Sequence, residues 1–117
     1  MIDEKAQDLG RLIGQTEEYK ALKRASDRLR EDADCQRLLA DMEKLAAEIE
    51  GAARTGKEPT PEQTEQYDKA VQSIQVNAVY QQMAVAQANF EKLMAKVNAR
   101  IDEGIQKGAA SPIITLG

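Results

Sequence analysis

Apolar residues recur along this chain at three- and four-residue steps, and no run alternates with the period of two that a half-buried strand requires. That spacing predicts five helical segments. The first places Ile2, Ala6, Leu9 and Ile13 on one face and stops at Gly14. Thr16 is a natural N-cap for the second, with Glu17 and Glu18 set against the positive helix end and Tyr19, Leu22, Ser26 and Leu29 turned inward. Asp32 or Asp34 caps the third, whose stripe is Cys35, Leu38, Met42, Leu45, Ile49 and Ala52; Gly56 ends it. Glu50 and Arg54 form a favourable pair four residues apart outside that stripe. Thr60-Pro61-Glu62-Gln63 then combines an N-cap, a proline at the first helical position and a capping-box glutamine, so a fourth helix starts at Pro61 with Tyr67, Ala70 or Val71, and Ile74 inward. Asn77 either breaks this helix and caps another or lies within one continuous helix. From Ala78 to Lys107 the pattern is unbroken, about 45 Å of helix, with Gly108 as its stop.

The expected fold is all-α: a bundle of about five helices with a long C-terminal helix. A single helical domain covers residues 1–108 and an apolar tail covers 109–117. In the tail, Pro112 fixes an extended entry, and Ile113, Ile114 and Leu116 form either a docking segment for a neighbouring subunit or another protein, or a frayed end.

The last helix also points to oligomerisation. A compact chain of 117 residues has a radius of gyration near ~13 Å, so a helix of ~45 Å overhangs it. The overhanging stripe needs cover, and a second copy is the simplest source. Val79, Met83, Phe90, Leu93, Val97 and Ile101 are the predicted oligomer interface. Ala84, Ala88, Ala95 and Ala99 lie roughly opposite, as a second close-approach face or as plain helix formers.

Composition narrows the chemistry. The chain has no His and no Trp, and four aromatic residues: Tyr19, Tyr67, Tyr80 and Phe90. Without His there is no Ser-His-Asp triad, Cys-His dyad or His-based zinc site. The single Cys35 excludes an intramolecular disulfide and is compatible with a reducing cytosol. No catalytic residue, metal or cofactor is expected. Sixteen basic against 20 acidic residues, net charge −4, argue against broad nucleic-acid binding. Lys20, Lys23, Arg24 and Arg28 nevertheless crowd the second helix, either as a solvated face or as a patch for phosphate or an acidic partner. Lys92, Lys96, Arg100 and Lys107 line the last helix, where cations near the C-terminus are favourable. The acidic N-terminus lacks an apolar signal core and no stretch is long enough to span a membrane, so a cytoplasmic, membrane-free protein is expected.

Several of these positions carry a resemblance. Thr16-x-Glu18-Tyr19-x-x-Leu22, Asp32 to Gln36 with Leu38-Leu39, Gly56 to Pro59-Thr60, Asn77-x-x-Tyr80 and Phe90-x-x-Leu93-x-x-x-Val97 resemble the YlbF/YmcA family of small bacterial helical proteins. The resemblance covers roughly residues 5–105 and rests on caps and core positions. It implies self-association through long helices and a regulatory role in competence, sporulation and biofilm formation. It also implies a partner complex that modulates a ribonuclease and messenger-RNA maturation. Some members supply C-terminal cysteines to an iron–sulfur cluster; this chain has only Cys35, so that role does not carry over. The expected function is a non-enzymatic adaptor in ribonuclease-dependent RNA processing. The alternative is a structural or chaperone-like helical scaffold.

Overall fold

A computed structural model describes residues 1–110; the proposed docking residues Ile113, Ile114 and Leu116 lie outside the described residues. Five helices follow in order: α1 (Ile2–Gly14), α2 (Glu17–Glu31), α3 (Ala33–Arg54), α4 (Pro61–Gln75) and α5 (Ala78–Ala110), with no strand among the described residues.

Side-chain caps set four of the helix starts. Thr16 Oγ1 accepts the Tyr19 N–H at 3.2 Å. Asp32, not Asp34, caps α3: its carboxylate accepts the Cys35 N–H at 2.8 Å, while its own N–H closes α2 on the Arg28 carbonyl at 3.0 Å. One residue therefore ends one helix and begins the next. Thr60 and Gln63 form the full capping box, with reciprocal bonds of 3.1 and 3.0 Å. Asn77 breaks the chain between α4 and α5, its side-chain oxygen accepting the Tyr80 N–H at 3.0 Å.

Two ends show why a glycine does or does not stop a helix. Gly56 has a φ of 79°, the left-handed conformation, and the N–H groups of Gly56 and Lys57 bond the carbonyls of Ala53 and Ala52 at 3.0 Å. That is a Schellman motif, which closes the orphan carbonyls of α3. Gly108 does not stop α5, which continues to Ala110, three residues past the expected end. A glycine costs only about 1 kcal/mol in a helix, and two alanines, the best helix formers, follow it.

The tertiary arrangement is two helix pairs. α2 lies along α5 and α3 lies along α4, while contacts between the pairs are sparse and α1 touches α2 lightly. The result is long and thin, 66 × 36 × 19 Å with a radius of gyration of 21.7 Å. The thinnest dimension is less than two helix diameters of about 10–12 Å. Among the described residues, only Ala25, Cys35, Ile74 and Ala86 are buried apolar side chains. The stripe of α3 (Leu38, Met42, Leu45, Ile49, Ala52) and that of α4 (Tyr67, Ala70, Val71) are half-buried.

The capping box gives a direct check on this reading of the local structure. Thr60→Ala should lower stability by about 1 kcal/mol, seen as a lower urea midpoint at fixed protein concentration with an unchanged slope.

Candidate interaction surface

The α2–α5 pair carries most of the residues singled out by the sequence, and its two sides differ. On one side the Tyr19 and Phe90 rings meet with centroids 5.7 Å apart, tilted at 59°. They line a groove of about 440 Å³ with Leu22, Lys23, Asp27 and Met83. On the other side Ala21, Arg24, Ala25, Arg28, Val85 and Asn89 line a groove of about 580 Å³. Arg28 bridges its rim, donating to Gln82 Oε1 at 3.0 Å.

The expected basic patch is thus divided. Lys23 faces the aromatic groove, with Asp27 and Arg30, which are paired to each other. Arg24 and Arg28 face the opposite groove. Lys20 reaches Glu17 at 3.9 Å. A bare run of basic residues on a helix conceals this separation, because residues one apart point about 100° away from each other.

The proposed interface stripe is partly occupied within the chain. Val79, Met83, Phe90, Leu93 and Val97 are half-buried, and Phe90 touches α2 through Tyr19. α2, fifteen residues and about 22 Å long, can flank less than half of α5, at about 50 Å. Ile101 and Ile105 remain exposed on its far half, at 45 % and 62 %. The row Ala84, Ala88, Ala95 and Ala99 is exposed. Ala25, one of the two buried residues of this pair, was hidden among helix-forming alanines and was not singled out by the sequence.

No group of three or more His, Cys, Asp or Glu side chains among the described residues converges to hold a metal ion. Cys35 is fully buried, and no helix among the described residues is long and apolar enough to cross a membrane. Burial, and after it the nearby Asp32 carboxylate, push the Cys35 thiol above its ordinary 9.0.

The described residues are nearly all helical, and the capped, paired helices leave open grooves along their seams. The family model "Control of competence regulator ComK, YlbF/YmcA" matches residues 2–106, and the chain belongs to this family. A UPF0342 protein of Streptococcus mutans is 32 % identical over 82 residues, covering 70 % of this chain and 73 % of that protein. A UPF0342 protein of Bacillus pumilus is 25 % identical over 107 residues, 92 % of this chain and 91 % of that one. Among solved structures, Bacillus subtilis RicA, crystallised in complex with RicF, aligns with a TM-score of 0.82 at 20 % identity, covering 92 % of this chain and 96 % of that chain. A protein of unknown function (DUF964) from Bacillus stearothermophilus aligns at 0.65 with 21 % identity, covering 95 % and 97 %. These two likenesses establish the fold.

Cys35 supplies a pH test. The folded chain holds the thiol above 9.0, so its contribution to stability is fully present below that pH and is lost as pH rises through the folded value. Denaturation of the parent chain and Cys35→Ala should show a constant difference below pH 9.0 that shrinks above it. In the native protein at neutral pH the thiol should resist iodoacetamide, reacting only after unfolding.

Proposed function

We propose that this chain is a non-enzymatic adaptor that self-associates along α5 and holds a second protein, as a regulator within the competence-control family to which it belongs. The observation that carries this is its surface. The chain exposes 9181 Å². A compact monomer of 12.9 kDa exposes about 6,300 Å². The last seven residues account for at most about 1,000 Å² of the difference. Roughly 2,000 Å² per chain is left over, the scale of an obligate interface rather than of a transient one. The same arithmetic says that the chain alone buries about half of its unfolded surface, where about two-thirds is usual for its size.

The occupant of the α5 stripe is a second copy. Val79, Met83, Phe90, Leu93 and Val97 are half-covered by α2, and Ile101 lies beyond its reach. The crystallised assembly of RicA with RicF supports the adaptor part, since a chain of the same fold holds a protein partner. Within this reading the partner complex is one that acts with a ribonuclease on RNA processing, in the cytoplasm, with no direct nucleic-acid contact required of this chain. The lack of any His removes the usual general base, in keeping with a binding rather than a catalytic role.

Two measurements test this. Light scattering should give twice the 12.9 kDa chain mass or more, and Ile101→Asp should shift the population toward monomer while helicity by circular dichroism is kept. Ile101 is the informative position, because it is already exposed in the single chain and its replacement leaves the α2–α5 seam intact. A parent protein that stays monomeric at high concentration overturns self-association. Mapping transcript ends in a strain lacking the gene should show altered processing; unchanged ends would remove the RNA-processing role and favour the structural scaffold.

A further inference from the structure

The chain has seven arginines. Five of them pair with a carboxylate three or four residues away: Arg11 with Asp8, Arg30 with Asp27, Arg37 with Asp34, Arg54 with Glu50 and Arg100 with Glu103. Arg24 and Arg28 make no ion pair among the described residues, and both line the same groove between α2 and α5. Among the described residues, the one side-chain partner of Arg28 is the neutral amide of Gln82. Two like charges four residues apart weaken a helix rather than support it. Asp27 lies three residues from Arg24, and Glu31 and Asp32 lie three and four residues from Arg28, yet neither arginine pairs with them: Asp27 is held by Arg30 and Asp32 caps α3 on the Cys35 N–H, which leaves both guanidinium groups to meet a charge from outside.

The groove floor narrows what that charge is carried on. Ala25 and Ala86 are buried at its base, Ala21 is half-buried, and Val85 is 61 % exposed at its wall. Small side chains let another backbone approach closely, and Val85 offers an aliphatic contact. No aromatic side chain lines the groove, so nucleotide bases have no stacking platform. The net charge of −4 also opposes a polyanionic strand. Arg24 and Arg28 stand one helical turn apart, about 6 Å, which is the spacing of two acidic residues at successive turns of an opposing helix. Each guanidinium can bind one carboxylate through two parallel N–H donors.

We propose that this groove docks an acidic amphipathic helix of a partner protein, with carboxylates one turn apart on Arg24 and Arg28 and an aliphatic side chain against Val85. The proposal rests on the adaptor reading and supplies the chemistry of its partner. It leaves the aromatic side of the pair and the far half of α5 for the second copy.

The probe is a fluorescein-labelled helical peptide of about 18 residues, rich in alanine and leucine, with glutamates at four-residue steps. Fluorescence anisotropy should show saturable, salt-sensitive binding. Amide shifts in nuclear magnetic resonance should centre on Ala21 to Arg28 and Val85 to Asn89. Arg24→Glu with Arg28→Glu should weaken binding at least about tenfold, and a peptide with lysines in place of the glutamates should regain it on that variant. Should the double reversal impair folding by circular dichroism, Arg24→Gln with Arg28→Gln carries the same expectation of loss. Absence of binding at about 1 mM peptide, or equal binding by the variants, overturns the proposal. So does a single-stranded RNA that displaces the peptide at lower concentration through the same arginines. Sedimentation of the same samples reports self-association separately, so a dimer that ignores the peptide sinks this inference and leaves the α5 interface standing.

Discussion

Two helices laid side by side can shield only the seam between them. This limit governs the rest of the molecule. α2 with α5, and α3 with α4, each close one line of contacts and leave apolar side chains half-covered on either flank. A third layer would be needed to complete the burial, and the 19 Å thickness leaves no room for one within the chain. The four buried apolar residues are the places where the seams are tightest: Ala25 and Ala86 let α2 and α5 approach closely, Ile74 closes the end of α4, and Cys35 sits where α2 turns into α3. Much of the hydrophobic driving force that a globule finds inside itself is therefore not spent within this chain, which is what the proposed association would use.

The part of the fold that could be read along the sequence is the part governed by local chemistry. Thr16, Asp32, Thr60 and Asn77 each act within three residues of themselves, so their caps were visible as spacing, and the left-handed Gly56 was visible as a residue type. The choice between Asp32 and Asp34, and the break at Asn77, needed the chain path, because both alternatives satisfy the same local rules. Which helix pairs with which was not legible at all. A stripe announces that a helix is covered on one face without naming what covers it. Phe90 therefore looked like a residue awaiting a second copy, while it already touches Tyr19 of its own chain. Ala25 went unnoticed for a related reason: alanine has one appearance whether it fills a wet helix face or the closest point of a seam.

Charge follows a different logic from burial. Ion pairs at helical spacing recur along α1 to α5, all of them exposed, and each contributes little to stability. Their effect is to neutralise the surface locally, so that a thin molecule of net charge −4 presents few concentrated fields. Against that background an unneutralised pair acquires meaning. Lys23 and Arg24 are neighbours in sequence and belong to different sides of the molecule, one beside Asp27 and the other beside Val85.

An adaptor of the kind proposed acts by differential binding, and its output would depend on which of its faces are occupied together. The geometry separates those faces. In the proposed adaptor, self-association would draw on the aliphatic far half of α5, where Ile101 and Ile105 stand exposed. The arginine groove lies on the near half, between α2 and the first turns of α5. Both share the rigid α5 rod, so a copy bound at one end constrains the helix that forms the wall of the groove at the other. A partner helix bound across α2 and α5 would in turn clamp the seam that the Tyr19–Phe90 contact closes only from one side. Occupancy at each face would then favour occupancy at the other, as thermodynamic linkage requires of two sites that stabilise one arrangement. An assembly of this kind forms sharply with concentration, which is a useful property in a protein that regulates by being present in a complex or absent from it.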